Sequence, residues 1–142
     1  MANLYNSEGY FSPTEYEAFT KIEKDERTVN FRPIVYICSP YSNGCINENI
    51  TNARKYSRFA VDSHCIPFAP HLLFPQFMDD AASDERELAM FMNMAMLSKC
   101  AELWVFGDTV SAGMKTEIDR AKRKHMKIRY FTEEMEELEE RK

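Results

Sequence analysis

The residues with the most chemical promise lie between Leu103 and Ala121, in the stretch LWVFGDTVSAGMKTEIDRA. The apolar run Leu103-Trp104-Val105-Phe106 stops at Gly107-Asp108. A turn of small residues around Ser111 and Gly113 follows, and Met114, Ile118 and Ala121 then recur at helical spacing. A buried strand that ends in a glycine turn and opens a helix is how α/β proteins build ligand sites, outside the carboxyl ends of their strands. Glu117 falls near the start of that helix, directed toward the strand end. A helix N-terminus favours an ionised carboxylate, the form a nucleophile needs. The same spacing suits a surface glutamate paired with Lys115 or Arg120, and spacing alone leaves both readings open.

Other polar groups belong to the same end of the sheet. Ser39, Tyr41, Ser42 and Asn43 follow a first strand, and Asp108, Ser111 and Gly113 follow a third. Neither loop is a G-x-G-x-x-G dinucleotide fingerprint or a G-x-x-x-x-G-K-[ST] phosphate loop, which removes the commonest NAD and ATP readings. Ser39 lacks a G-x-S-x-G elbow. His64, His71 and His125 show no H-x-H or H-E-x-x-H spacing, so no metal and no cofactor is expected.

The elements that position these residues are legible from their patterning. Ile34-Val35-Tyr36-Ile37 is apolar on both faces, as a central parallel strand is, with Pro33 tolerated only at its first position. A helix is expected from an N-cap at Asn47 to Ser63, with Ile50, Ala53, Ser57, Ala60 and Val61 on its buried face. Ile66 to Pro70 is a short strand that its prolines place near a sheet edge. The loop from His71 to Met78 is unusually apolar and must cover its surface with a neighbour, a ligand or a second subunit. Ser83-Asp84-Glu85 opens a second helix whose stripe is Leu88, Phe91, Met92, Ala95 and Met96. A third strand covers Glu102 to Phe106, a third helix Ser111 to about His125, and a fourth strand Ile128 to Phe131. Thr132-Glu133-Glu134 then opens a charged terminal helix. This order predicts an α/β fold, a small Rossmann-like or flavodoxin-like parallel sheet of four to five strands with helices on both faces. Residues 1–32 read as an N-terminal extension, with a short helix from Ser12 to about Lys24, and residues 33–142 as the domain.

Composition sets the outer limits. The 142 residues suit one core, at 44% hydrophobic and 29% charged, and the aromatic share of 13% suits a packed interior or a ring-binding pocket. A net charge of −5 argues against a bulk nucleic-acid binder. The basic stretch Lys115 to Arg129 and the acidic Thr132 to Lys142 read as a solvated helix face beside an acidic tail. No apolar leader and no run long enough to span a bilayer is seen, and the cysteines form no C-x-x-C. A cytoplasmic protein without membrane contact is expected.

Three pieces of the chain carry a family resemblance: Val35-Tyr36-Ile37-Cys38-Ser39-Pro40-Tyr41, Cys100-Ala101-Glu102-Leu103-Trp104-Val105-Phe106-Gly107, and Ser111-Ala112-Gly113-Met114-Lys115-Thr116-Glu117-Ile118 with Ala121. Together they resemble the nucleoside 2-deoxyribosyltransferase superfamily, above all its small bacterial and phage members, which share the Ala69-Pro70-His71-Leu72 to Phe74-Pro75-Gln76-Phe77 stretch. The resemblance implies that Glu117 is a nucleophile attacking the anomeric carbon of a (deoxy)nucleoside or nucleotide, and that Tyr36 orients it. It implies Ser39, Pro40 and Tyr41 on the sugar side, and Asn43 and Ser111 near a hydroxyl or phosphate. Gly113 and Met114 lie within the motif, and Phe68, Leu72 and Phe74 beside a base. It also implies a homo-oligomer. Two departures stand out. Where characterised transferases carry an acidic residue in the second helix, this chain has Asn93, which is no general acid. The usual cysteine-aspartate pair is here Cys100-Ala101. Asp84 or Asp108 then remain as proton sources, and a module that binds a nucleotide-derived ligand without turnover is the alternative.

Overall fold

The computed structural model describes residues 31–139, and the helix expected from Ser12 lies outside them. The described elements are β1 (Ile34–Cys38), α1 (Ile46–Asp62), β2 (Ile66–Phe68), α2 (Ser83–Leu97), β3 (Glu102–Phe106), α3 (Ala112–Arg123), β4 (Lys127–Phe131) and β5 (Glu137–Leu138). Two single turns of 3-10 helix, Pro70–Leu72 and Phe74–Gln76, occupy the long β2–α2 connection. The five strands form one sheet of order β2-β1-β3-β4-β5, parallel except for β5. The fold is α/β and Rossmann-like, as the alternation of patterns predicts.

Chain order explains where a ligand belongs. From β1 the chain moves outward to the edge strand β2, then passes back over β1 to β3 and on to β4. Strand order therefore reverses between β1 and β3, and the crevice outside their carboxyl ends is the usual binding place in such sheets.

Side chains alternate along each strand, so the sheet has two distinct faces. Val35 and Ile37 join Trp104, Phe106 and Phe131 against Tyr56 and Ala60 of α1. Tyr36 and Cys38 join Leu103 and Val105 against Leu97 of α2 and Met114, Ile118 and Ala121 of α3. Helix α3 starts where the Ser111 hydroxyl accepts from the Met114 N–H at 3.2 Å. Beyond its end at Arg123 the chain turns at His125, whose φ of +54° lets the Met126 N–H reach the Ala121 carbonyl at 2.9 Å.

Three expectations change. Helix α1 starts at Ile46 after Cys45, so Asn47 lies inside its first turn rather than capping it. The α2 stripe is turned away from the core: Leu88 and Phe91 are 52% and 71% exposed, while Asn93 and Leu97 are the buried residues. The expected charged helix after Thr132 is instead a tight turn into β5, which pairs antiparallel with β4. Like charges one helical turn apart would repel in that helix. The turn replaces it with a Thr132 N–H to Glu136 carbonyl bond of 2.9 Å and a two-pronged Arg129–Glu137 contact at 2.6 and 2.9 Å.

Candidate active site

Glu117 lies in the second turn of α3, on the side that faces β1, and only 2% of it is exposed. The surface reading is thereby overturned: Lys115 instead pairs with Asp119 at 3.0 Å. The Cys38 thiol donates to Glu117 Oε1 at 3.7 Å, and Oε2 has no hydrogen-bond partner among the described residues. The Tyr36 hydroxyl, two residues before Cys38 on the same strand face, is buried close enough to act on the carboxyl's ionisation. It sits outside hydrogen-bonding geometry with any described group.

Burial decides the protonation of this cluster. It raises the Glu117 carboxyl from 4.5 to about 7, against the opposite pull of Tyr36 and Cys38. The helix N-terminus was expected to hold Glu117 ionised. The free N–H groups lie a turn earlier, and loss of water outweighs them. Burial and the neighbouring Glu117 charge push both the Tyr36 hydroxyl and the Cys38 thiol well above their ordinary values, so both stay protonated.

Glu117 forms part of the wall of a cavity of about 550 Å³, a size that holds a small organic molecule. The β1–α1 loop contributes Tyr41, Ser42 and Asn43. The β2–α2 connection contributes Pro70, His71, Phe74, Pro75, Met78, Asp79 and Asp80. Helix α2 contributes Glu85, Arg86, Ala89, Met90 and Asn93, and the start of α3 contributes Ser111, Ala112, Gly113 and Met114. Of the residues singled out in the sequence, Glu117, Tyr41, Ser42, Asn43, Asn93, Ser111, Gly113 and Met114 meet here, with Phe74. Tyr36, Ser39, Pro40 and Asp108 do not line the cavity, nor do Phe68, Leu72 and Asp84. Tyr36, in the middle of β1, and Ser39, just past its end, are buried, and Asp108 is exposed.

The family model of a domain of unknown function, DUF7768, matches residues 33–131. The chain belongs to that family. No curated protein matches it. Among solved structures, a 2-deoxyribosyltransferase from the psychrotolerant bacterium Bacillus psychrosaccharolyticus is similar, with a TM-score of 0.58 and 15% identity. The match covers 70% of this chain and 72% of that one. At that identity the likeness is one of fold.

Within this family member, several residues in and beside the cavity take parts that the sequence motifs do not reveal. Asn49 of α1 holds the β1–α1 loop in place, its amide donating to the Tyr41 and Asn43 carbonyls at 2.6 and 2.9 Å. His71, which belongs to no ligand motif, bonds through Nε2 to the Ser39 carbonyl at 2.9 Å. Its ring stacks on Tyr41 with centroids 5.0 Å apart. Asp79, Asp80, Glu85 and Arg86 supply the charge of the outer wall. Asn93, named in the sequence as a departure, is 7% exposed, and its Oδ1 is buried without a partner. Among the described residues no helix is long and apolar enough to cross a membrane.

Proposed function

We propose that this cavity takes a nucleoside or nucleotide and that Glu117 cleaves its N-glycosidic bond. A Glu117 oxygen forms an ester bond to the anomeric carbon. The carbon–nitrogen bond breaks with its electron pair leaving on the base, which takes up a proton, and water or a second base then resolves the ester. One observation carries the reading: a carboxyl nine-tenths buried, with one oxygen unpartnered, in the wall of a ligand-sized cavity at the strand-order reversal. A buried acid without an ion pair costs stability and is kept where it is used. The fold shared with a 2-deoxyribosyltransferase supports the same chemistry. With its ionisation raised to about 7, the carboxyl is present in both its charged and its neutral form near neutrality. A second copy covering Leu88 and Phe91, both more than half exposed on α2, belongs to the same proposal.

A slow 2-fluoro-2-deoxynucleoside provides the test. Intact-protein mass spectrometry is expected to find a one-to-one glycosyl adduct on the wild type and none on Glu117→Gln. Base release without an adduct, or an adduct that survives in Glu117→Gln, overturns Glu117 as nucleophile.

Asn93 favours a second reading, in which the cavity holds its ligand without turnover. Asn93 lines the cavity, the resemblance implies an acid at its position, and an amide has no proton to give at neutral pH. Tight binding by calorimetry, with the nucleoside recovered unchanged after long incubation, would select this reading over the first.

A further inference from the structure

The cavity that Glu117 lines also contains a histidine whose protonation pattern is fixed by its neighbour. A carbonyl oxygen can only accept, so the 2.9 Å contact between His71 Nε2 and the Ser39 carbonyl places the ring's hydrogen on Nε2. Burial holds the imidazole below its ordinary pKa, against the opposing influence of the Ser39 carbonyl and the Asp80 carboxylate, and so keeps it neutral. Nδ1 then carries a lone pair. The only hydrogen bond of the ring to a described residue is the one through Nε2, and the residue lines the cavity. Stacking on Tyr41 fixes the ring plane.

Around it the wall is acidic. Asp79, Asp80 and Glu85 line the cavity, and Arg86 is the one cation among the lining residues. Asp79 Oδ1 accepts from the Ala81 N–H at 3.0 Å, and Glu85 Oε2 of α2 from the Asp79 N–H at 3.3 Å, so two of these carboxylates are tied to the backbone of the loop before α2. Asp80 lies near enough to Tyr41 and His71 to act on the ionisation of both. The N-terminus of α3 adds only about half a positive charge. Even with Arg86, the balance is negative.

We propose that His71 is a specificity-determining residue of this site: its Nδ1 accepts a hydrogen bond from an uncharged hydroxyl of the ligand, within a wall of carboxylates that keeps a phosphate from that place. The inference rests on the nucleoside reading above and narrows it to unphosphorylated nucleosides. Two independent features agree. An unprotonated Nδ1 suits a donor and offers nothing to a phosphate oxygen, and like charges across a binding surface reject a partner.

Calorimetry with the four common 2′-deoxynucleosides and their 5′-monophosphates, in a Glu117→Gln background so that nothing is consumed, tests it. The best-bound nucleoside is expected to bind at least about tenfold tighter than its monophosphate. That margin should shrink in Asp80→Asn, return in Asp80→Glu, and shrink at high salt. His71→Gln keeps a donor for the Ser39 carbonyl but loses the Nδ1 acceptor, and is expected to weaken nucleoside binding about tenfold. His71→Asn puts an amide oxygen near the Nδ1 position and is expected to stay within about threefold. In the active protein the His71→Gln loss should fall on KM rather than kcat. A monophosphate bound as tightly as the nucleoside, or equal losses in His71→Gln and His71→Asn, overturns the proposal. Absence of binding by every nucleoside and monophosphate overturns the nucleoside reading itself, and this inference with it.

Discussion

The two faces of the sheet are built from alternate residues of the same strands, yet they follow different rules. On the α1 face, Tyr56, Phe106 and Phe131 stack at 4.1 and 5.0 Å, Phe59 meets Phe106 and Phe131 edge-on, and Trp104 packs 5.1 Å from Phe131. Even the polar parts are satisfied there: the Trp104 indole donates to Glu102 at 2.9 Å, and Arg129 lies over the ring at 4.8 Å. On the α2–α3 face, Tyr36, Asn93 and Glu117 each bury a polar atom without a hydrogen bond. Unsatisfied buried groups cost roughly 1–3 kcal/mol each, so the second face gives up stability that the first supplies. One face holds the fold, and the other keeps its polar atoms free for something else.

The sharpest way to break this contrast is to remove the chemistry from one face and the packing from the other. Glu117→Gln keeps size and shape but cannot form the ester, and base release is expected to fall by a thousandfold or more, an effect on the order of 4 kcal/mol or above. Retained release in a steady-state assay would move the nucleophile elsewhere. Phe106→Ala removes a fully buried ring from the stack and is expected to destabilise by about 3–5 kcal/mol in urea unfolding. Its folded fraction should still form the Glu117 adduct. Loss of adduct formation in properly folded Phe106→Ala would show that the faces are not separable.

Much of this arrangement was legible in the sequence, and what was not has identifiable causes. β1 and β3 announce themselves because central parallel strands are apolar on both faces, and Ser111 with Glu117 reads as a helix start beside a strand end. The phase of α2 was not legible. Met90, Met92, Met94 and Met96 alternate, and that pattern gives a helix no preferred face. The terminal turn was hidden because the Arg129–Glu137 pairing that favours it joins two strands. For the site, the position of Glu117 was readable but its burial was not. Its neighbours Tyr36 and Cys38 come from a strand some eighty residues earlier, and only the sheet register brings them together. The acidic wall was missed for the same reason, since Asp79 and Asp80 sit in a loop whose path spacing does not reveal.

The contrast also predicts how stability responds to pH. The Glu117 carboxyl ionises at about 7 in the folded chain against an ordinary 4.5. Between these values the folded chain holds a proton that the unfolded chain has released. The contribution of this group is therefore full below about pH 4.5 and is lost as pH rises to about 7. At about 1.4 kcal/mol per pH unit the loss is on the order of 3 kcal/mol. His71, held below its ordinary value, contributes in the opposite sense, so the comparison is made as a difference between proteins. Glu117→Gln is expected to lose this decline and to be the more stable protein at pH 8. Parallel stability profiles for the two in urea titrations at pH 5 and pH 8 would mean that the carboxyl is not desolvated.

Tyr36→Phe makes the smallest change and separates two roles on the same face. The hydroxyl is buried without a hydrogen bond, so removing it should shift stability by no more than about 1 kcal/mol in either direction. Its other effect is electrostatic: near Glu117 it favours the ionised carboxylate and partly offsets burial. Without it the carboxyl should ionise at still higher pH. The acid limb of kcat/KM, expected near pH 7 in the wild type, should move upward. Activity would then fall up to about tenfold at neutral pH and recover in alkaline buffer. A merely structural tyrosine would lower the rate equally at every pH. A limb that does not move would therefore leave Tyr36 as packing, and the tuning of Glu117 to burial and Cys38 alone.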